Sequence, residues 1–352
     1  MISRVASNCF WMHRYVERCE NTARMLQVNF AFVLDVTLPA VERWRPFVIV
    51  SGEEARFREY IGEKGLEDAE QVQAYLTWDE RCPVSIFTSL QWARENARTI
   101  RETISLEMWE SMNEFWLWMK EGRAREDYER DRYNFYARVK ERCQLFHGIC
   151  HNTILNAEPF DFMRLGMLLE RSSQTARILD VKYHAFGADP AREETAGEVA
   201  QWLALLRSCA ASEPFLKLNR GVLSGPAVAA FLLLQDRFPR SVMHCLTRAQ
   251  RFLNRVGDPL RLDGPRNAAD RLTALAQHVA PLTIEKILSA GLHQELTNII
   301  DGVAEVCRAL HTDYFDPPMA VLQSQSQSQG TQAQGTQAQG SQIQAQRGGA
   351  SA

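Results

Sequence analysis

Apolar residues recur every three or four positions along almost the whole chain, which is the spacing of amphipathic helices. A long first helix is predicted at about 8–36, where the apolar positions form one stripe: Met12, Val16, Cys19, Ala23, Leu26 and Phe30. Short helices should fill 40–80, although Phe47–Val50 would also suit a brief strand. Later helices are predicted at 86–100, 106–122, about 132–155, 161–187, 196–211, 226–237, 240–256 and 265–279, and a last pair spans 282–314. Ser85 is predicted as the N-cap of the helix at 86–100, and Asp161 as the N-cap of the helix that begins the second half. The pattern predicts an all-α protein.

One charged helical segment occurs twice. Residues 17–26, which begin Glu-Arg, return 153 positions later as residues 170–179 with six identical positions, and Val28 and Val181 add a seventh at the same offset. Surface helices do not ordinarily repeat charges in register at this distance. We therefore predict two pseudo-repeated helical halves, 1–157 and 158–322, packed into one bundle-like domain. Residues 323–352 consist mainly of Gln, Ser, Gly and Ala, which cannot bury a core, and are predicted to be disordered.

Helical phase places the charges of the first copy relative to its apolar stripe. Glu17, Glu20 and Arg24 lie beside the stripe, whereas Arg18 points the other way. The simpler interpretation is a solvated face with ordinary pairing along one helix. The alternative is a semi-buried network of ion pairs between the two copies.

The second copy repeats this layout with Glu170 and Arg177 beside the stripe and Arg171 pointing away. If the two helices pack antiparallel, Glu17 should meet Arg177 and Glu170 should meet Arg24.

Two further arginine motifs need anionic neighbours. Arg94, Glu95 and Arg98 form a related segment in which the two arginines are a like-charge i,i+4 pair unless carboxylates surround them. Arg240 follows Pro239, and the pattern places it in the first turn of a helix, where the macrodipole opposes a cation. The simpler and more common alternative is that Arg240 extends into solvent. We predict instead that it faces an anion, either a protein carboxylate or a ligand phosphate.

The overall composition limits the partners. The chain has 352 residues with 40 basic and 43 acidic side chains, a net charge of −3, which argues against nucleic acid as the main partner. The longest apolar run, 228–234, is far shorter than the ~20 residues of a membrane span, and 1–4 lead directly into a helix without a signal-peptide core. We expect a soluble cytoplasmic protein.

Eight scattered cysteines lack any Cys-x-x-Cys spacing and are typical of small core residues. One helix face carries Cys143, His147, Cys150 and His151, but a single helix rarely supplies four tetrahedral ligands. We therefore predict core packing there and no metal.

The motifs together resemble the alpha-E family, a predicted all-helical bacterial domain also known as domain of unknown function 403. The resemblance covers about 1–315 and is carried by residues 11–26, 93–98 with 105–110, 165–181 and 238–241. His13 departs from the family pattern, which usually has glycine there, and Ser173 stands where the second copy usually has an acid. The resemblance implies no established activity. It implies genes that commonly lie beside a circularly permuted ATP-grasp ligase and a transglutaminase-like peptidase.

Two functions are compatible with these features. The first is a helical accessory protein that works with the ATP-grasp and transglutaminase-like proteins in peptide or amide synthesis or modification. The sequence contains no P-loop, dinucleotide-binding turn or Gly-x-Ser-x-Gly motif, so no cofactor is predicted. The alternative is an enzyme in which Glu17 or Glu170 is a base, while Arg24, Arg98 or Arg177 binds the carboxylate or phosphate of a substrate. A scaffold with a purely internal salt network is the third possibility.

Overall fold

The computed structural model describes residues 2–35, 40–184, 195–219, 223–256 and 267–316. Within these ranges the chain forms sixteen α-helices and no strand, which confirms the all-α class. A 3-10 helix at Glu63–Glu67 and a π-helical turn at His311–Phe315 complete the regular structure. The helices are α1 Ser3–Asp35, α2 Ala40–Ser51, α3 Glu54–Tyr60, α4 Ala69–Trp78, α5 Ile86–Thr99, α6 Leu106–Lys120, α7 Arg123–Arg130, α8 Arg132–Thr153, α9 Glu158–His184, α10 Ala196–Ser208, α11 Ser212–Asn219, α12 Gly225–Leu234, α13 Val242–Arg255, α14 Asn267–Val279, α15 Ile284–Ala290 and α16 Leu292–Leu310.

Most predicted helices are present, and the exceptions are local. The segment 47–50 is helical inside α2 and not a strand. The helix predicted at 196–211 ends at Ser208, and a separate helix, α11, follows it. Asp161, predicted as an N-cap, lies inside the first turn of α9, where its carboxylate binds Arg255. The predicted tail at 323–352 lies outside the described residues, and the division into two repeated halves stays a prediction.

Helices α1 and α9 form the centre of the molecule and run parallel. The backbone of Phe10 lies against Gly166, so closely that a Cβ at position 166 would clash with the Phe10 carbonyl. Further along, Met25 and Ile178 line one small cavity. A later residue of α1 therefore contacts a later residue of α9, which shows that the two helices run in the same direction. The antiparallel crossing predicted from the repeat is wrong, and the two copies of the motif lie side by side.

The other helices enclose this pair. Two contacts show that helix α8 runs antiparallel to α1. Near the start of α1 the ring of His13 contacts the ring of His147, whereas further along α1 Gln27 accepts a hydrogen bond from Lys140, which precedes His147 in α8. Helices α13 and α16 both pack against α9 and run antiparallel to it. Helix α5 packs against α1. Both central helices are therefore covered on several sides. None of the described helices combines the length and apolar character needed to cross a membrane.

Enclosure on several sides explains an unusual feature of α1. Six polar or charged residues between positions 17 and 27 are buried: Glu17, Glu20, Asn21, Thr22, Arg24 and Gln27. A helix that packs on one side only would leave such residues in water. Buried polar groups need partners inside the protein, and Glu17, Glu20 and Gln27 find theirs on neighbouring elements.

Candidate functional site

The two copies of the motif bind each other reciprocally. Arg171 of α9 donates to both carboxylate oxygens of Glu17, with Nε–Oε1 at 3.0 Å and Nη2–Oε2 at 2.7 Å. Arg18 of α1 donates in the same bidentate way to Glu170, at 2.7 and 3.0 Å. Because α1 and α9 are parallel and in register, each Glu lies opposite the Arg that follows the other Glu. Arg18 and Arg171 therefore face the partner helix, contrary to the prediction from helical phase.

The pairs predicted in their place do not form. Arg24 binds Glu20 of its own helix, four residues away, and does not reach Glu170. Arg177 lies near Gly52, and among the described residues no carboxylate is within ion-pair distance of it. The phase argument failed because it assumed one buried stripe, whereas α1 is buried on most of its circumference.

The Glu17 side of this arrangement is the larger. We define the Glu17 cluster as Glu17, Glu20, Asn21, Arg24, Arg171 and Arg240. Arg240 donates from Nη1 to Glu17 Oε1 at 2.7 Å and to Asn21 Oδ1 at 2.9 Å, and from Nη2 to Glu20 Oε1 at 2.7 Å. The prediction that Arg240 faces an anion is confirmed, and the anions are two protein carboxylates.

The location of Arg240 in the secondary structure differs from the prediction. Helix α13 begins at Val242, and the side chain of Ser241 caps it by accepting from the backbone N–H of His244. Arg240 therefore precedes the helix and is not in its first turn. The carbonyl of Arg240 accepts from the Thr175 hydroxyl at 2.9 Å, which fixes this turn against α9.

The Glu170 side is smaller and holds a single carboxylate. We define the Glu170 cluster as Glu170, Arg14, Arg18 and Gln174. Arg14 donates from Nε and Nη2 to Glu170 Oε2 at 2.9 and 2.7 Å, and Gln174 donates to Oε1 at 3.2 Å. The Arg14 guanidinium also contacts Cys307 Sγ of α16 at 3.1 Å and lies over the ring of Trp11. Sequence reasoning missed Arg14, although it stands one helical turn before Arg18.

The arginines control the ionisation of the glutamates. Burial disfavours the charged form of Glu170, but Arg18 and Arg14 outweigh burial and lower its pKa to about 2. At Glu17 burial is likewise outweighed, by Arg171 and Arg240, and the pKa is held well below its usual range. The pKa of Glu20 is also lowered, against burial, chiefly by Arg240. These carboxylates are ionised at neutral pH and would be weak bases.

Two buried histidines adjoin the Glu17 cluster. The rings of His13 and His147 lie 5.2 Å apart, and none of their four ring nitrogens has a hydrogen-bond partner. Burial lowers the pKa of His147 to about 4 and that of His13 well below its usual value, so both are neutral at pH 7. His147 Nε2 lies 3.7 Å from Glu17 Oε2.

A metal site on the α8 face is not assembled from the four residues that the sequence suggested. Cys143 and Cys150 are buried in the core, and His151 packs against Phe160. His147 instead forms a group with Glu17 and Glu20 in which the nearest ligand atoms lie within 4.8 Å of one another. Both carboxylates already bind arginines, three in all, so a cation there would have to displace guanidinium groups.

The third motif is a separate surface feature. Glu95 binds Arg94 at 2.6 Å and Arg98 at 2.8 Å, and the Arg98 side chain is 59% exposed. Arg94 also lies over the ring of Trp109 and contacts Asn113. The carboxylate expected between the two arginines is therefore Glu95 itself, and the motif does not join the central network.

An open cleft lies on the outer side of the Glu17 cluster. Its volume is about 610 Å³, and it is bordered by α11, by Phe231 of α12 and by the turn that leads to α13. Arg171 and Arg240 both line it, so the two arginines that hold Glu17 also reach this surface. The cleft was not predicted from the sequence, because α11 was not expected as a separate helix.

Comparison with known proteins agrees with the helical architecture and with the presence of a Glu-Arg motif. A family model described as a predicted alpha-helical domain with a conserved ER motif matches residues 1–315. An uncharacterized protein of Mycobacterium bovis is 23% identical over 315 residues, and one of Mycobacterium tuberculosis is 22% identical over the same length. Each match covers 85% of this chain but only 35% of the relative, so the chain spans about a third of these relatives' length.

No solved structure matches the chain significantly. The family model, in contrast, covers nearly all of the described residues, and its description includes a conserved ER motif. The chain belongs to the Alpha-E family.

Proposed function

We propose that this protein is a non-catalytic helical accessory protein of a system that makes or modifies peptide-like amides. In this proposal it works with a circularly permuted ATP-grasp ligase and a transglutaminase-like peptidase, the partners that the family resemblance suggests. Its task is to hold a partner or a peptide substrate. The reciprocal Glu-Arg pairs then serve to fix α1 against α9.

The observation that supports this proposal best is the saturation of the motif carboxylates. Glu170 accepts hydrogen bonds from Arg14, Arg18 and Gln174, and Glu17 accepts from Arg171, Arg240 and Asn21. Their pKa values are lowered, so neither takes up a proton readily at neutral pH. A general base needs a pKa near the working pH and an accessible acceptor atom, and both glutamates lack these properties.

The enzymatic alternative has less support from the geometry. The arginines suggested as an anion clamp, Arg24, Arg98 and Arg177, lie in different places. Arg24 is held by Glu20, Arg98 is on the surface with Glu95, and Arg177 is paired with no described carboxylate. They do not converge on one substrate.

The length of the relatives also fits an accessory role. In the mycobacterial proteins the matched region is about a third of the chain and is therefore joined to other sequence. A helical unit that works alongside other domains is expected to occur in such arrangements.

The test is co-purification combined with a turnover assay. The protein is co-expressed with an ATP-grasp ligase from the same cell, and the complex is isolated through a tag on the ligase. We expect a complex that survives size-exclusion chromatography and a ligase that needs the protein for full rate. Absence of a complex, or turnover by the isolated protein that Glu17→Gln abolishes, would contradict the proposal.

A further inference from the structure

The salt network does not explain the cleft beside the Glu17 cluster. We call it the Arg171–Arg240 cleft and define it by its described lining. That lining consists of Arg171, Ala210, Pro214, Lys217, Leu218, Phe231, Gln235, Arg237, Phe238, Pro239 and Arg240. Six of these residues are apolar, one is neutral polar and four are basic.

The charge of the cleft is opposite to that of the chain. Arg171, Lys217, Arg237 and Arg240 contribute four positive charges, and none of the described lining residues is acidic. The chain as a whole has a net charge of −3. A cationic cleft in an acidic protein concentrates anionic ligands locally, while the surrounding charge repels long polyanions such as nucleic acid or an anionic membrane.

The two deep arginines retain hydrogen-bonding capacity. A guanidinium has five N–H donors. Arg171 uses three of them on Glu17 and the Pro239 carbonyl, and Arg240 uses three on Glu17, Asn21 and Glu20, counting the described residues. Two donors remain on each arginine. Because Glu17 and Glu20 hold both guanidinium groups in place, these donors are preorganised for a further acceptor.

The remaining lining is suited to apolar side chains. Phe231 and Phe238 contact each other with tilted rings whose centroids lie 4.9 Å apart, and both are largely buried in the wall of the cleft. Leu218 of α11 is 45% exposed. A ligand that combines negative charge with apolar groups would satisfy both parts of the cleft. Small inorganic anions would leave the apolar part uncovered.

We propose that the Arg171–Arg240 cleft binds an acidic peptide segment, with carboxylates on the four basic residues and apolar side chains on the apolar part of the lining, chiefly the exposed Leu218. This inference rests on the proposed function and names the substrate class of that accessory role. The bound segment belongs to the peptide that the ligase extends or modifies. No chemical step takes place in the cleft.

Binding of a labelled peptide tests the proposal directly. The probe is a fluorescein-labelled peptide of alternating Glu and Leu, about ten residues long, which in extended form spans ~30 Å. Its counterpart has Gln in place of Glu. Affinities for the full-length protein are measured by fluorescence anisotropy at low and physiological salt, because charge pairing weakens with ionic strength.

The variants are chosen to leave the fold intact. Lys217→Glu with Arg237→Glu reverses the two exposed charges of the cleft. Lys120→Glu with Lys286→Glu makes the same change in charge at exposed positions outside the cleft. Arg171 and Arg240 are not changed, because they hold the Glu17 cluster together.

We expect the Glu–Leu peptide to bind the unmodified protein at least about tenfold more tightly than the Gln–Leu peptide. The cleft variant should lose about tenfold in affinity, and the control variant less than about twofold. Equal loss in both variants, or no binding by the unmodified protein, would overturn the proposal. So would tighter binding of heparin fragments or phosphatidylserine vesicles through Lys217 and Arg237.

The ligase pull-down separates this inference from the proposed function. If the ligase complex forms but the peptide does not bind, the accessory role stands and the peptide site is wrong. If the peptide binds through the cleft but no ligase complex forms, the cleft stands and the accessory role is wrong.

Discussion

The Glu17 and Glu170 clusters contain the same Glu-Arg exchange in different surroundings. In each, a glutamate of one central helix binds the arginine of the other helix with two parallel hydrogen bonds. The Glu17 cluster adds a second carboxylate, Glu20, and reaches a surface cleft through Arg171 and Arg240. The Glu170 cluster has one carboxylate for two arginines, and its Arg18 and Gln174 line a small cavity.

The turn that packs against each cluster accounts for part of this difference. Pro239-Arg240-Ser241 precedes α13, and Pro83-Val84-Ser85 precedes α5, with the serine as N-cap in both. Arg240 binds Glu17 and Glu20, whereas Val84 lies near Arg18 and Gln174 in a small cavity. The middle residue of the turn therefore differs: it is the charged Arg240 at the cleft beside the Glu17 cluster, and the apolar Val84 beside the Glu170 cluster. The motif fixes the helices in both places, and the neighbouring turn decides whether the site reaches the surface.

Removing the central carboxylates should give the largest effect and should differ between the clusters. Glu170→Gln leaves Arg14 and Arg18 buried without an anionic partner, which typically costs 3–5 kcal/mol of unfolding free energy. Glu17→Gln should cost less, because Glu20 can still hold Arg240. Urea unfolding followed by circular dichroism measures both values. A larger loss for Glu17→Gln would show that the second carboxylate does not compensate.

As the pH is lowered, the histidines beside the Glu17 cluster should reduce the free energy of unfolding before Glu170 does. Because the pKa of His147 in the folded protein is about 4, below its usual value, the unfolded chain takes up the proton first. Stability should therefore fall as the pH drops from about 6.5 to 4, by about 3 kcal/mol for His147 alone. In the variant with His13→Gln and His147→Gln, the free energy of unfolding should depend much less on pH in this range, as measured by unfolding at a series of pH values.

The same measurement extends to the Glu170 side at lower pH. The lowered pKa of Glu170 predicts a further loss between about pH 4.5 and 2, which the histidine variant should keep. If the unfolding free energy of the histidine variant depends on pH in the same way as that of the unmodified protein, the histidines do not cause the loss of stability between about pH 6.5 and 4.

Charge exchange tests the pairing itself. Glu17→Arg with Arg171→Glu should recover about 0.5–3 kcal/mol relative to the sum of the single changes, because the two side chains are in direct contact. Glu17→Arg with Arg177→Glu, the pair expected from an antiparallel crossing, should be additive within about 0.5 kcal/mol. A double-mutant cycle by urea unfolding compares the two. Coupling in the second pair alone would contradict the parallel arrangement.

The surface motif should give the smallest effect. Arg98→Gln removes an ion pair with Glu95 in which the arginine is 59% exposed, so the change in unfolding free energy should stay below about 1 kcal/mol. Thermal unfolding with and without added salt is sufficient. A loss comparable to that of Glu17→Gln would mean that the third motif belongs to the structural network after all.

The sequence by itself determined the helical class, most helix positions, the repeated Glu-Arg segment and the need of Arg240 for an anion. These properties depend on local periodicity and on the residue types themselves, as at the Ser85 cap of α5. The direction of α1 relative to α9 could not be read in this way, because periodicity shows which face is apolar but not which helix covers it. Only the tertiary structure decided that the helices run parallel, that Glu17 meets Arg171, and that Arg240 opens onto a cleft. Those outcomes depend on which distant segments pack together, and burial of α1 on several sides removed the single stripe on which the phase argument relied.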